Sequence, residues 1–132
     1  MSETGIISKI SKQDFETTYQ TLRGVIENNP NLKIVAELNH QANATSVGLD
    51  LKPTRIIMFG NPNLGTPLMQ NVQTIGLDLP QKILVHQDEE GQVIVSYNDP
   101  LYLKNRHGIT DKDAVLGKIA GALNKLTDAA IV

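Results

Sequence analysis

Residues 82–97 read KILVHQDEEGQVIVSY, and this stretch decides the class of fold. Two runs rich in β-branched residues, KILVHQ and QVIVSY, flank the segment DEEG, in which Gly91 suits a tight turn. The pattern predicts a β-hairpin, and its strands must be antiparallel because so short a connection cannot cross over to a parallel neighbour. The sequence therefore favours an α+β fold over a doubly wound parallel sheet.

Three further strands are predicted upstream of the hairpin. They are GIISKI at residues 5–10, LKIVAEL at residues 32–38 and RIIMF at residues 55–59. RIIMF is a short, continuous apolar run of the kind found in a strand that is buried on both faces. Together with the hairpin these runs predict a single antiparallel sheet of about five strands.

Two long amphipathic helices are predicted to cover one face of this sheet. The first begins at a capping box formed by Ser11 and Asp14 and ends before Pro30, and the last begins at a capping box formed by Thr110 and Asp113. Apolar residues recur at steps of three and four along both helices: Phe15, Tyr19, Leu22 and Ile26 in the first, and Val115, Ile119, Leu123, Leu126 and Ala130 in the last.

Short helices are predicted between the strands. Asn39 can cap a helix over residues 40–47, since its side chain can accept from a free amide of the first turn. Asp99 and Pro100 form a cap-then-proline start for a helix that runs to about Arg106. Gly108 closes that helix in the left-handed conformation.

Composition and charge restrict the class of protein. The chain has 132 residues, of which 40% are hydrophobic, so one domain over residues 1–132 is expected. The net charge of −2, with both signs scattered, argues against nucleic-acid binding, and no apolar run approaches the length that a membrane span needs. A start without a secretory signal and the absence of cysteine predict a cytoplasmic protein.

The loop at residues 59–70, FGNPNLGTPLMQ, has the glycine spacing of a phosphate-binding P-loop, with Gly60 and Gly65 as the two glycines. A P-loop needs backbone amides directed at the phosphates and a lysine. Pro62 and Pro67 each remove an amide, and the loop has no Lys or Arg. The sequence favours a turn in which Thr66 caps a helix that starts at Pro67, with a small anion at these amides as the alternative.

The three histidines, His40, His86 and His107, lack the spacing of a metal-binding helix, so the sequence identifies no metal site and no cofactor. His40 is predicted at the start of a short helix, where the helix dipole favours a neutral imidazole that could act as a base or a ligand. The alternative is a histidine that only bonds the nearby backbone.

Several short fragments of the chain form a recognisable set: Asn39–His40, Pro53–Arg55, Phe59–Pro62, Gly65–Met69, Leu77–Pro80, Tyr97–Pro100 and Arg106–His107. In this order and spacing they resemble the bacterial and archaeal domain-of-unknown-function family 302. The resemblance implies a TATA-binding-protein-like fold in the order strand, helix, four strands, helix, and a homodimer. It implies no activity, and Asn39 departs from the acidic residue that relatives often carry before the histidine.

Three functions are compatible with these patterns. The first is a dimeric module that binds a small molecule or small anion in a pocket near the Asn61 loop and His40, with His40, Asn61, Thr66, Tyr97, Asn98 and Asp99 as the hypothetical ligand-binding residues. The alternative is a structural or regulatory homodimer without a ligand. The third is a hydrolase-like or other enzyme in which His40 acts as the general base and Asp99 or Asn61 orients it.

Overall fold

The structure is a computed structural model, and it describes residues 3–132. The order of elements is β1 (Ile6–Ile10), α1 (Phe15–Glu27), β2 (Lys33–Asn39), α2 (His40–Ser46), β3 (Thr54–Gly60), α3 (Pro62–Asn71), a 3-10 helix (Gln73–Leu77), β4 (Gln81–Gln87), β5 (Val93–Asn98), α4 (Pro100–His107) and α5 (Asp113–Ala130). No helix within the described range has the length and apolar character to cross a membrane.

The five strands form one antiparallel sheet in the order β1-β5-β4-β3-β2. The predicted hairpin joins β4 to β5, and Val85 lies opposite Val95 in its ladder. The carboxylate of Asp88 accepts from the amides of Glu90 and Gln92 at 3.0 and 2.9 Å, which fixes the turn. The predicted α+β class and single antiparallel sheet are confirmed.

Helices α1 and α5 lie side by side on one face of the sheet. Their apolar stripes meet the inward side chains of β3, β4 and β5, because alternate residues of a strand point to the same face. The residues buried at this interface include Leu22, Ile26, Ile57, Val85 and Leu123. The predicted helix layer over one face is therefore confirmed.

The opposite face of the sheet remains largely open. Ser8, Ser96, Leu84, Ile56 and Leu38 lie directly opposite one another across all five strands and so share this face. We call it the open face. RIIMF is a strand, as predicted, but only alternate residues of β3 are buried, so the expectation of burial on both sides is wrong. A continuous apolar run does not by itself show whether a second layer of helices or strands covers the other face of the sheet.

The predicted capping box at the start of α1 is wrong. Asp14 is the N-cap, and its carboxylate accepts from the Thr17 amide at 2.7 Å. Ser11 cannot begin the helix because its amide donates to the Val93 carbonyl at 2.8 Å, which keeps it beside the sheet. Its hydroxyl bonds to that of Thr18 at 2.7 Å instead.

The predicted capping box before α5 is also wrong. The helix starts after Lys112 and has no side-chain cap. Thr110 donates its amide to the Asn71 side chain at 3.0 Å, and Asp111 adopts a left-handed φ of 54° between Thr110 and the helix. This turn removes Thr110 from the helix axis, while Asp113 bonds to Lys104 at 2.8 Å.

Helix α3 begins earlier than the sequence predicts. Asn61 is its N-cap and accepts from the Asn63 amide at 3.0 Å, and Pro62 occupies the first turn. Thr66 and Pro67 lie inside the helix, so their assignment as cap and first residue is wrong. Asn61–Pro62 and Thr66–Pro67 have the same pattern of a capping residue followed by proline, and the helix starts at the earlier pair. The predicted caps Asn39 and Asp99 are confirmed by bonds to Ala42 and Leu101.

Candidate functional site

A cavity of about 380 Å³ lies between the sheet and helices α3 and α5. Its volume falls within the range of small-molecule sites, about 300–1,000 Å³. Most of the lining is aliphatic or aromatic. The residues are Leu32, Lys33, Val35, Phe59, Gly60, Asn61, Pro62, Leu64, Gly65, Thr66, Met69, Leu79, Pro80, Gln81, Ile119, Ala122 and Leu123.

Each wall of this cavity comes from a different element. Phe59, at the end of β3, projects towards the helices and is 2% exposed. Leu64 and Met69 follow on α3, and Ile119 and Leu123 belong to the inward stripe of α5. Because α5 is distant in sequence from β3 and α3, the cavity depends on the complete helix-on-sheet packing.

Four of the residues that line the cavity have polar side chains: Lys33, Asn61, Thr66 and Gln81. Lys33 and Thr66 are exposed, and Asn61 and Gln81 are half-buried. The side-chain oxygen of Asn61 is committed to the cap of α3, which leaves its NH₂ group as a donor. None of the residues that line the cavity is acidic. The site can therefore enclose an apolar body, with few polar groups available to bond to it.

The segment Leu79–Pro80 forms one wall, and its peptide bond is cis. Asp78 anchors this wall, since its carboxylate accepts from Nη1 of Arg106 at 3.0 Å and lies 2.6 Å from Nε2 of His107. The Asp78 and His107 side chains are only 16% and 5% exposed. An ionised carboxylate only accepts, so Nε2 of His107 carries the hydrogen.

Other side chains around Asp78 also form hydrogen bonds. Nδ1 of His107 lies 3.0 Å from the hydroxyl of Thr74. The ammonium group of Lys82 donates to the carbonyls of Asp78 and Pro80 at 3.3 and 3.1 Å. We call Thr74, Asp78, Lys82, Arg106 and His107 the Asp78 cluster. It connects the 3-10 helix, the start of β4 and the end of α4 behind the cavity wall.

The structure places His40 far from Asn61. In the β2–β3 ladder, Asn39 lies opposite Arg55 whereas Lys33 lies opposite Gly60. His40 follows one end of the sheet and Asn61 follows the other, about 17 Å away at the usual rise of a strand. His40 does not line this cavity. A catalytic pair of His40 with Asn61 is therefore not formed.

The predicted residues on β5 and α4 are also outside the cavity. Asp99 is the N-cap of α4 and accepts from the Leu101 amide at 3.0 Å, and Tyr97 is buried in the core. Asn98 follows Tyr97 at the end of β5. Of the six hypothetical ligand-binding residues, only Asn61 and Thr66 line the cavity, so the expected convergence of three segments is not found.

A second cavity, of about 360 Å³, lies at the end of the sheet near Asn39. It is polar, but its charges are already paired: Arg23 with Glu37 at 3.1 Å, and Arg55 with Glu16 at 2.8 Å. The Tyr19 hydroxyl donates to Glu37 at 2.7 Å. Burial, followed by this bond and the Glu37 charge, raises the pKa of Tyr19 above its ordinary value. These contacts are typical of a structural network.

Sequence reasoning missed Lys33, Gln81 and the Asp78 cluster. Lys33 and Gln81 are the first residues of strands, where nothing in the sequence predicts that they share a cavity. The sequence did contain a signal for Asp78 and His107, because both lie in fragments on which the family resemblance depends. Their separation of 29 residues concealed the contact.

Comparison with known proteins identifies relatives that are longer than this chain. The chain is 34% identical over 121 residues to "Fluoride-specific ion channel FluC 1" of Brucella suis biovar 1 (strain 1330), which covers 90% of the chain and 47% of the relative. It is equally similar to "Fluoride-specific ion channel FluC 2" of Brucella melitensis biotype 1, with 90% and 44% covered. The chain thus spans about half the length of these relatives.

A solved structure and a family model cover almost the whole chain. The crystal structure of an uncharacterized conserved protein, DUF302, from Bacillus stearothermophilus matches with a TM-score of 0.83 and 16% identity, covering 96% of this chain and 98% of that one. This likeness shows the fold alone. The model of "Domain of unknown function DUF302" matches residues 7–126. The chain therefore belongs to the DUF302 family.

Proposed function

We propose that the protein binds a small, largely apolar ligand in the cavity between the sheet, α3 and α5. One observation carries this proposal. Three fragments that mark the family resemblance, Phe59–Pro62, Gly65–Met69 and Leu77–Pro80, all contribute to the lining. A purely structural explanation accounts for each turn separately. It does not explain why the three fragments surround the same space.

Gly65 supports this function because it has no evident backbone reason to be glycine. It lies within α3, where glycine costs about 1 kcal/mol relative to alanine. A Cβ atom at this position would contact Cδ1 of Leu79 at 3.7 Å, and both residues line the cavity. A larger side chain would therefore enter the space that the ligand needs.

Replacing Gly65 with leucine is expected to fill the cavity while the fold is retained. Decanol, a neutral probe with an apolar chain, is expected to bind the wild-type protein and to lose at least about tenfold in affinity in Gly65→Leu, since this corresponds to about 1.4 kcal/mol of lost contact. Isothermal titration calorimetry below the solubility limit of decanol measures the difference.

Gly121→Leu is the matched control. Gly121 lies on α5, and a Cβ atom there meets no atom within 4 Å. We expect decanol to bind this variant with wild-type affinity. Equal affinities for the wild-type protein and both variants, or no binding to any of them, would contradict a ligand site in the cavity.

The second candidate function is a homodimer formed through the open face. Ile6, Ile10 and Leu38 on this face are 49%, 58% and 43% exposed. Large apolar patches on a protein surface usually mark an interaction site. The row from Ser8 to Leu38 across the strands has no charged residue, so stacking over this row would bury no charge, and Lys33 and Lys82 lie on the same face towards one end of the sheet. This arrangement is compatible with ligand binding on the other side of the sheet.

Ile10→Lys is expected to prevent dimer formation, because it introduces a charge that stacking would bury without a partner. Sedimentation velocity is expected to give twice the monomer mass for the wild-type protein and the monomer mass for this variant. Leu101→Lys, at a position on α4 that is 48% exposed, is the control and should remain dimeric. A monomeric wild-type protein at high micromolar concentration would reject the dimer.

A further inference from the structure

We propose that Thr74, His107 and Asp78 form a hydrolytic site, in which the hydroxyl of Thr74 is a nucleophile that accepts an acyl group from an ester. This activity goes beyond the ligand binding proposed above and does not depend on it, because none of the three residues lines the cavity. The observation that carries the proposal is a continuous chain of hydrogen bonds from a hydroxyl through an imidazole to a carboxylate.

The three side chains lie in the order that nucleophilic catalysis requires. Oγ1 of Thr74 is 3.0 Å from Nδ1 of His107, and Nε2 of His107 is 2.6 Å from Oδ2 of Asp78. A nucleophile, its base and the group that orients the base are expected within about 2.6–3.2 Å of one another. Thr74 belongs to the 3-10 helix, Asp78 follows that helix directly, and His107 is the last residue of α4.

The tautomer of His107 gives each of these bonds its direction. The ionised carboxylate of Asp78 can only accept, so it keeps the hydrogen of the imidazole on Nε2. In a neutral imidazole Nδ1 is then an acceptor, and the hydroxyl of Thr74 donates to it. Nδ1 is therefore placed to take the hydroxyl proton, and the charge of Asp78 stabilises the imidazolium that forms.

Arg106 and Lys82 hold Asp78 in position. Nη1 of Arg106 donates to both carboxylate oxygens at 3.1 and 3.0 Å, and the ammonium group of Lys82 donates to the backbone carbonyl of Asp78 at 3.3 Å. Because the side chains of Asp78 and His107 are largely buried, water competes little for their bond. Asp78 is thus a positioning residue, which acts on a substrate only through His107.

Thr74 is exposed, in contrast with its two partners, so a substrate can reach its hydroxyl. Leu77 lies three residues further along the 3-10 helix, and side chains at this spacing lie one above the other in such a helix. Leu77 is 75% exposed and offers an apolar surface beside the nucleophile. We therefore expect the ester to carry a short apolar acyl chain.

The reaction takes place in two steps. Oγ1 of Thr74 attacks the carbonyl carbon of the ester while Nδ1 of His107 takes the hydroxyl proton. The bond from that carbon to the alcohol oxygen then breaks, and the alcohol leaves with the proton. In the second step Nδ1 takes a proton from water, which attacks the acyl-threonine. The carboxylic acid is released, and the proton returns to Oγ1.

Hydrolysis of p-nitrophenyl butyrate by the full chain tests this site, with the release of p-nitrophenol followed by absorbance. Thr74→Val keeps the shape of the side chain and removes its hydroxyl. It should lower the protein-dependent rate at least about tenfold, because general-base catalysis typically contributes more than this. Thr74→Ser restores the hydroxyl and should retain the activity. Peptide mass mapping after an acid quench should find the butyryl group on Thr74 of the wild-type protein.

Thr17→Val is the matched control, because Thr17 is also an exposed threonine but belongs to α1. It should hydrolyse the ester at the wild-type rate. Folded Asp78→Asn should lose at least about tenfold in kcat with little change in KM, a split that a structural role alone would not produce. Equal rates for the wild-type protein and Thr74→Val, a butyryl group found only on other residues, or no hydrolysis above the uncatalysed rate would overturn the proposal.

Discussion

Gly5→Ala is expected to lower the free energy of unfolding by about 2–5 kcal/mol, as a sum of backbone strain and overpacking. The φ angle of Gly5 is 71°, a conformation that costs L-residues energy. A Cβ atom there would lie 2.1 Å from Cγ and 2.6 Å from Cβ of Tyr102. The backbone cannot easily retreat, because the Gly5 carbonyl accepts from the Asp99 amide at 2.8 Å. Urea denaturation measures the loss.

Two variants separate the causes of this effect. Gly24→Ala changes a glycine inside α1 that has open space around its Cβ position, so it should stabilise the protein by up to about 1 kcal/mol. The double variant Gly5→Ala/Tyr102→Ala should show a favourable coupling energy, since the ring is absent, but it should recover only part of the loss because alanine keeps the Cβ atom that would lie 2.6 Å away. If Gly5→Ala unfolds at the wild-type urea concentration, the close approach of Gly5 to Tyr102 is not a constraint on the fold.

The main features of the fold could be predicted because they depend on patterns within single segments. The hairpin around Gly91 needs only two β-rich runs and a turn residue. The stripes of α1 and α5 need only regular spacing, and their inward residues Leu22 and Leu123 are among the most buried of the described residues. The antiparallel order followed from these segments and the short connection between β4 and β5.

The ends of the helices were less predictable because tertiary bonds decide among equivalent caps. Ser11 and Thr110 each have the right residue three positions later, yet Ser11 bonds to Val93 and Thr110 to Asn71. Similarly, Asn61 and Thr66 are both followed by proline. Only packing in three dimensions selects one of two such starts.

The site was predicted in part, for the same reason. The loop at Asn61 and Thr66 was identified from its composition, and both residues line the cavity. His40 was chosen for its place at a helix start, which carries no information about which end of the sheet that helix occupies. Lys33 had no local signal, because a lysine at the start of a strand is an ordinary surface residue.

Asp78→Ala is expected to lower the free energy of unfolding by about 2–3 kcal/mol, because it leaves a buried imidazole without its acceptor. His107 is 5% exposed, so water cannot readily replace the carboxylate. Arg106 would lose its bonds as well, but its side chain is 51% exposed and can be hydrated. Thermal and urea denaturation report the change in stability.

Arg106→Ala serves as the matched control, because it removes an exposed partner of the same carboxylate. We expect it to cost less than about 1 kcal/mol, as is usual for exposed ion pairs. Asp78→Asn keeps one acceptor oxygen for His107 and should fall between the two. A loss in Arg106→Ala as large as in Asp78→Ala would mean that the ion pair, and not the buried imidazole, dominates the Asp78 cluster.

The Asp78→Ala variant also tests whether the Asp78 cluster shapes the cavity. Asp78 precedes the wall formed by Leu79 and Pro80, so loss of its anchor should loosen that wall and weaken decanol binding by about tenfold, or about 1.4 kcal/mol. The measurement is made under conditions where the variant is fully folded, so that lost binding does not report unfolding. Wild-type affinity in a destabilised Asp78→Ala protein would show that the cluster supports the fold without shaping the cavity. Reduced affinity would mean that the contact between Asp78 and His107 contributes both to the stability of the fold and to the shape of the cavity.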